Sequence, residues 1–188
     1  SAIHSEFSTA SNSLMVLIDA NVQNQGAVEV LLKQEGNTIA SAAKSFDHRS
    51  EAKLTLELVE PQLWSPESPY LYDLEVRLTS PDGAVDTVQS YVGLRQVRTE
   101  NGHLLLNDKP LYIRGVLDQG YFPEGWYTPL DDEAIRRDVE LTLALGFNCA
   151  RKHQKIEDPR YLYWADQLGL LVWEEMPSGR IFSNELVT

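Results

Sequence analysis

Hydrophobic and polar positions alternate along residues 1–92. A period of two places successive side chains on opposite faces of a β-strand. Pro81-Asp82-Gly83 adds the turn signal of a hairpin. Short alternating runs separated by turns predict an antiparallel β-sandwich of the immunoglobulin-like class. The strand-like runs lie at residues 14–22, 28–32, 53–58, 70–78 and 85–92.

The pattern changes after residue 97. Two short strand-like stretches surround turns at Asn101-Gly102 and Asn107-Asp108. Three buried strands then alternate with two helices. The sequence signals are Pro159 at the first position of the second helix and a glycine at the end of each helix. Strand, helix, strand, helix, strand predicts a βαβαβ unit with a parallel sheet. The strands are expected at 113–117, 147–151 and 170–173, and the helices at 128–146 and 158–168.

Such a unit occurs both in open doubly wound sheets and in (β/α)8 barrels. The first turn lacks G-x-G-x-x-G, and the chain has no P-loop, so a nucleotide-binding sheet is disfavoured and no cofactor is expected. A TIM barrel is therefore the better prediction, although the chain holds only the first three of its eight strands. We expect an immunoglobulin-like domain at 1–92 and an incomplete barrel at 93–188, as in an internal piece of a longer protein.

Composition and charge narrow the classes of partner. A net charge of −12 argues against nucleic acid, which needs clustered Lys and Arg. No apolar run is long enough to cross a membrane. His4, His48 and His103 are scattered without ligand spacing, so no metal is expected. Cys149, the single cysteine, is predicted to be a buried thiol and leaves the cellular compartment undecided.

Several sequence blocks, in order along the chain, resemble glycoside hydrolase family 2, which includes β-galactosidases, β-glucuronidases and β-mannosidases. The blocks are Leu63-Trp64-Ser65-Pro66 through Tyr72, Gly93-Leu94-Arg95, Leu106-Asn107-Asp108-Lys109-Pro110, Ile113-Arg114-Gly115-Val116, Asn148-Cys149-Ala150-Arg151 and Gly169-Leu170-Leu171-Val172-Trp173. The resemblance implies a retaining enzyme whose two catalytic glutamates follow the fourth and seventh barrel strands. No catalytic residue is therefore expected in this chain.

The chain departs from the family pattern at two pocket positions. Residues 117–121, Leu-Asp-Gln-Gly-Tyr, stand where an Asn-x-His-Glu type segment is usual. Residues 154–156 stand where His-Tyr-Pro is usual, with His153 one position early. A plain β-galactosidase or β-glucuronidase assignment is therefore not supported.

Candidate substrate-binding residues follow from the barrel geometry, because TIM-barrel active sites lie at the carboxyl ends of the strands. Sugar binding uses polar groups that hold hydroxyls and aromatic faces that stack on the ring. We expect Arg114 to be a structural cation buried against a carboxylate, and Glu174 to support the site. The substrate-binding candidates are Asp118, Tyr121, Trp126, Arg151, His153 and Glu175.

Two acidic pairs resemble catalytic carboxylates without the required geometry. Glu174 and Glu175 are adjacent on a strand, so their side chains point to opposite faces. Glu175 is expected to face the pocket and to pair with Arg114 or Arg151, although a purely structural ion pair remains an alternative. Asn184-Glu185 follows the third strand too closely for a crossover helix and a fourth strand.

Two functional hypotheses remain, because the ordered blocks disfavour a third, an unrelated TIM-barrel enzyme with an appended sandwich. The first is a segment of a retaining exo-glycosidase that acts on a carbohydrate and supplies the sandwich and one wall of the sugar pocket. The alternative is a non-catalytic scaffold module that binds carbohydrate or protein. The exposed, apolar edge of the third barrel strand predicts self-association or, alternatively, poor packing of the residues beyond about 93.

Overall fold

A computed structural model describes residues 2–19, 26–46 and 51–178. The contacts divide the chain into two compact units, residues 1–111 and 112–188. The Asn184-Glu185 pair lies outside the described residues. Each unit is described separately below.

The first unit contains the strands β1 Ala2–Ser8, β2 Ser13–Asp19, β3 Gly26–Gln34, β4 Asn37–Phe46, β5 Glu51–Glu57, β6 Tyr72–Thr79 and β7 Val85–Val92. They form two antiparallel sheets, in the orders β1-β2-β5 and β4-β3-β6-β7. Inward positions alternate with outward ones, and in β5 the buried residues are Ala52, Leu54 and Leu56. The predicted immunoglobulin-like sandwich is confirmed.

The sequence pattern did not predict β1 and β4. Both are outer strands of their sheets, so each pairs along one side only. In β1 only Phe7 is fully buried, and in β4 the partly buried inward residues include the small Ala40 and Ala42. A strand that buries little apolar surface leaves a weak alternating signal.

Three short strands, β8 Val97–Glu100, β9 His103–Leu106 and β10 Lys109–Pro110, form an antiparallel sheet. Asn107 connects it to the sandwich, because its Nδ2 donates to the Trp64 carbonyl (2.9 Å) and its Oδ1 accepts from the Gln96 amide (3.0 Å). By contacts these strands therefore group with the first unit. The domain division at residues 92 and 93 stays a prediction.

The second unit contains the predicted βαβαβ arrangement. Its three strands are parallel and lie in chain order, so the carboxyl ends meet at one edge of the sheet. Gly169 ends α2 in the left-handed conformation (φ 89°), which a residue without Cβ adopts readily. The elements are β11 Gly115–Asp118, α1 Asp132–Ala144, β12 Cys149–Lys152, α2 Pro159–Leu168 and β13 Leu171–Glu174. Neither helix is long and apolar enough to cross a membrane.

The first helix begins later than predicted. Its N-cap is Asp131, whose carboxylate accepts a hydrogen bond from the Ala134 amide (2.8 Å). The predicted start at residue 128 was wrong because the cap lies beyond Pro129. An acceptor at the N-cap satisfies a backbone N–H that has no partner within the helix.

The two faces of the parallel sheet differ in burial. On the helix side, Ala150 packs with α1 and α2 in a cluster that includes Val139 and Tyr161. On the other side, Leu117 is 55% exposed and Trp173 is 61% exposed. The expectation that 113–117 and 170–173 are buried strands is therefore wrong for this face. In a closed barrel the face opposite the helices lines the interior, and three strands leave it open.

Candidate functional site

The carboxyl ends of the parallel strands carry two polar clusters on opposite faces of the sheet. Asp118, Lys152 and Glu174 are register partners and share the helix-facing side. Arg151 is one residue earlier and Glu175 one residue later, so both point to the other side. The alternation separates a buried ionic network from a solvent-accessible one.

Glu175 organises the accessible cluster. Its Oε1 lies 2.5 Å from both Nε and Nη2 of Arg151, and its Oε2 lies 2.9 Å from Nδ1 of His153. The Gln154 amide donates to Oε2 as well (3.2 Å). The Arg151 guanidinium, together with these donors, lowers the pKa of Glu175. An ionised Glu175 therefore fixes the directions of Arg151 and His153 while their side chains stay 45% and 30% exposed.

Lys152 organises the buried cluster, and its side chain is 0% exposed. The ammonium pairs with Asp118, lies 3.0 Å from Glu157 Oε2 and 3.8 Å from Asp138 Oδ2, and sits 3.7 Å from the centroid of the Tyr161 ring. Burial, followed by the Asp118 charge, raises the pKa of Asp138. One buried cation therefore serves three carboxylates.

Asp118 belongs to this buried cluster. One of its oxygens pairs with Lys152, and the other accepts the Gly120 amide (2.6 Å). Both carboxylate oxygens are therefore engaged by the protein. A direct contact between Asp118 and a sugar stays a prediction.

An aromatic hairpin, defined as residues 120–127, follows β11. Phe122 and Trp126 exchange two backbone hydrogen bonds (2.7 and 2.9 Å), and the rings of Tyr121 and Tyr127 meet edge to face at 4.7 Å. A hydrogen bond with Tyr127 raises the pKa of Tyr121. Tyr121 is 56% exposed and Trp126 is 78% exposed, so both candidate aromatics present ring surface to solvent.

Arg114 and Glu174 have different surroundings. Arg114 is exposed, and its Nε donates to the Gly146 carbonyl (2.9 Å), so the expected burial against a carboxylate was wrong. The physical reason is position, because Arg114 precedes β11 and lies at the amino end of the sheet. Glu174 Oε1 accepts the Glu157 amide (2.9 Å) and holds the turn before α2. Glu174 and Glu175 contact different partners, so they do not flank one shared point.

In the second unit, sequence reasoning missed three buried charged residues, Lys152, Lys155 and Glu157. Lys152 was detectable in principle, because it lies two residues after Ala150 and therefore faces the helices. Cys149 is buried as predicted, and burial raises the pKa of its thiol. Within residues 2–19, 26–46 and 51–178, no group of three or more His, Cys, Asp or Glu side chains could hold a metal ion.

Family models match both parts of the chain. The model described as "Glycosyl hydrolases family 2" matches residues 2–95. The model described as "Glycosyl hydrolases family 2, TIM barrel domain" matches residues 97–186. Together they agree with a sandwich followed by the start of a barrel.

Curated relatives are much longer than this chain. A β-galactosidase of Pectobacterium atrosepticum is 36% identical over 129 residues, which are 68% of this chain and 12% of the relative. A β-galactosidase of Photobacterium profundum is 31% identical over 172 residues, 87% of this chain and 17% of the relative. The chain thus spans less than a fifth of the length of these relatives.

Solved structures share the fold. A glycosyl hydrolase family 2 member from Bacteroides cellulosilyticus superposes with a TM-score of 0.79 at 25% identity, covering 93% of this chain and 24% of that one. A β-D-glucuronidase of Dictyoglomus thermophilum gives a TM-score of 0.78 at 27% identity, with coverage of 98% and 30%.

Replacing the buried cation should destabilise the second unit strongly. In Lys152→Met, three carboxylates lose their shared counter-charge, and breaking a buried ion pair in this way costs about 3–5 kcal/mol. Urea denaturation followed by far-UV circular dichroism measures the loss, because both described helices lie in this unit. The deficit should shrink as the pH falls below about 7, because burial raises the pKa of Asp138 and the variant lacks the Lys152 charge that lowers it, so the native state takes up a proton more readily than the unfolded chain.

The matched control is Arg136→Met. Arg136 is an exposed cation of α1 that pairs with Glu140 one turn later (2.8 Å). An exposed pair of this kind contributes about 0.3–0.5 kcal/mol. Equal losses for the two variants at neutral pH would contradict a special role for Lys152.

Proposed function

Because this chain belongs to glycosyl hydrolases family 2, we propose that it is the part of a retaining glycoside hydrolase that joins a β-sandwich to one wall of the sugar pocket. The observation that carries the proposal is the cluster of Arg151, His153 and Glu175 at the carboxyl edge of the parallel strands. This edge is where barrel enzymes bind substrate. The substrate class is an O-glycoside, as the printed names of the β-galactosidase and β-glucuronidase relatives suggest.

The chemical step needs two carboxyl groups about 5–5.5 Å apart when the anomeric configuration is retained. One attacks the anomeric carbon, and the other protonates the leaving oxygen and then activates water. The family resemblance assigns these roles to glutamates after the fourth and seventh strands. The opposite orientations of Glu174 and Glu175 support this division, because they cannot act on one bond together. In our proposal, residues beyond the three strands described here supply both reacting groups.

In this proposal, the segment binds the sugar substrate and orients it. Glu175 uses its own charge to aim Arg151 and His153, which keep donors available to the hydroxyl groups of a sugar. The aromatic hairpin adds the exposed rings of Tyr121 and Trp126 at the same edge of the sheet. The apolar face of a pyranose fits such ring surfaces. The identity of the sugar is left open, because the residues at 117–121 and 154–156 depart from the family pattern.

Activity should require the longer protein. We expect the 188-residue chain to hydrolyse neither p-nitrophenyl β-galactoside nor p-nitrophenyl β-glucuronide, and the protein from the complete reading frame to hydrolyse p-nitrophenyl glycosides. In that longer protein, Arg151→Ala should lower kcat/KM by about 10- to 100-fold, since a hydrogen bond from a charged group contributes about 1.5–3 kcal/mol.

The exposed Arg136 on α1 supplies the control, and Arg136→Ala should leave kcat/KM within about twofold because it lies outside the proposed site. Hydrolysis by the 188-residue chain, or an unchanged kcat/KM in Arg151→Ala, would contradict the proposal. Absence of glycosidase activity in the longer protein would instead support a scaffold module.

We also propose that the chain by itself self-associates through the sheet face opposite the helices. Leu117 and Trp173 on this face are 55% and 61% exposed, and the nearby Met176 is 76% exposed. Sedimentation velocity should show a concentration-dependent shift to larger species. Trp173→Glu should weaken it, and Tyr112→Glu, at another exposed aromatic, should not. A monomer at all concentrations would contradict this proposal.

A further inference from the structure

Lys155 is a buried cation that no part of the proposed chemistry uses. The residue is 8% exposed, and its ammonium donates to the carbonyls of Gly120 (3.0 Å) and Tyr127 (3.1 Å). It also lies 2.9 Å from Glu157 Oε1. The ring of Tyr127 is 4.9 Å from the ammonium. An ammonium has three donors, and here all three have acceptors.

The two carbonyls belong to the two ends of the aromatic hairpin. Gly120 is its first residue and Tyr127 its last, so one ammonium closes the segment at its base. Within the hairpin, Phe122 and Trp126 form a backbone pair, and Tyr121 and Tyr127 form a ring contact and a hydrogen bond. A short two-stranded hairpin is only marginally stable by itself. The contacts of Lys155 with the two carbonyls, here called the clamp, therefore stabilise the hairpin at its base.

Glu157 connects the clamp to the rest of the unit. Its Oε1 pairs with Lys155, and its Oε2 lies 3.0 Å from the ammonium of Lys152. Its backbone amide donates to Glu174. The hairpin is thus tied through one carboxylate to the buried network between the strands and the helices.

A side chain at Gly120 would displace the charged groups of the clamp. This residue has a φ of +67°, and a Cβ there would lie 2.6 Å from Lys155 Nζ and 2.7 Å from Glu157 Oε2. Both distances are too short for a carbon atom. The glycine therefore supplies the left-handed turn and also the room that lets the ammonium reach the carbonyl.

We propose that Lys155 is a positioning residue, which acts on substrate through the aromatic hairpin by fixing the exposed rings of Tyr121 and Trp126 at the sugar pocket. The inference rests on the proposed function for the identity of the ligand, an O-glycoside. The evidence for the clamp is the set of contacts that Lys155 makes, and it does not depend on the identity of the ligand. An apolar side chain would fill the same space at lower desolvation cost, so the use of an ammonium with three acceptors points to directional binding of the loop ends.

The first experiment tests the clamp in the 188-residue chain and needs no substrate. Lys155→Met keeps the length and removes the charge. Hydrogen exchange at the Phe122 and Trp126 amides should become at least about tenfold faster, while exchange at the Ala165 amide within α2 changes by less than about twofold. Lys53→Met, at an exposed lysine of β5, is the control and should change neither.

Gly120→Ala provides a second route, because the added carbon displaces the ammonium without deleting it. It should also accelerate exchange in the hairpin. If the hairpin amides exchange in both variants as they do in the unmodified chain, the clamp does not exist. If exchange rises equally in the hairpin and in α2, Lys155 is a general stabiliser and the proposal is overturned.

The second experiment tests the link to substrate in the longer protein with p-nitrophenyl β-galactoside and p-nitrophenyl β-glucuronide. Lys155→Met should raise KM by about 2- to 12-fold, the effect of losing one aromatic contact, with kcat changed less than about twofold. Trp126→Ala should raise KM similarly. The double variant should raise KM by less than the product of the two single effects, because part of the effect of Lys155 acts through the Trp126 ring and the rest through Tyr121.

The outcomes separate the two proposals. Faster hairpin exchange together with no hydrolysis of any glycoside would leave the clamp standing and remove the proposed function. Hydrolysis with KM unchanged in Lys155→Met and in Trp126→Ala would keep the proposed function and overturn the positioning role. Additive increases in KM would show that Lys155 acts independently of Trp126, which also overturns it.

Discussion

The second unit depends on the ion pairs of the buried Lys152 ammonium. It joins Asp118 at the end of β11, Asp138 on α1 and Glu157 before α2, and it lies against the ring of Tyr161 on α2. A buried charge is tolerated only when it is paired and hydrogen-bonded. Because its partners come from β11, α1, α2 and the segment before α2, this cation fixes how the carboxyl end of the sheet is assembled.

The direction of the Lys152 side chain also determines which side chains lie on the opposite face of the sheet. Lys152 points toward the helices, so the alternation of a strand sends Arg151 to the other side. There Glu175 aims the guanidinium and the imidazole of His153. A structural network and an accessible polar cluster thus occupy neighbouring residues. A second buried cation, Lys155, donates hydrogen bonds to both ends of the aromatic hairpin.

Much of the fold could be predicted from the sequence, because period and end signals are local. Alternation in 53–58 and 70–78 predicted strands, and Pro159 with Gly169 predicted the limits of α2. The weak strands β1 and β4 were missed, since both are paired outer strands that bury few large side chains. The partners of Lys152 and Lys155 also lie beyond local reasoning, because the acceptors include backbone carbonyls and carboxylates that the topology brings together. The opposite orientation of Glu174 and Glu175 needed only the period of a strand, and their contacts confirm it.

The most direct test of this account is a crystal structure of the longer protein with a bound monosaccharide product. The account predicts that a sugar hydroxyl lies within about 3.2 Å of a donor of Arg151 or His153, with both side chains still held by Glu175. It also predicts ring contact between the sugar and Tyr121 or Trp126. A sugar bound at the reacting glutamates with none of these four side chains in contact would contradict it.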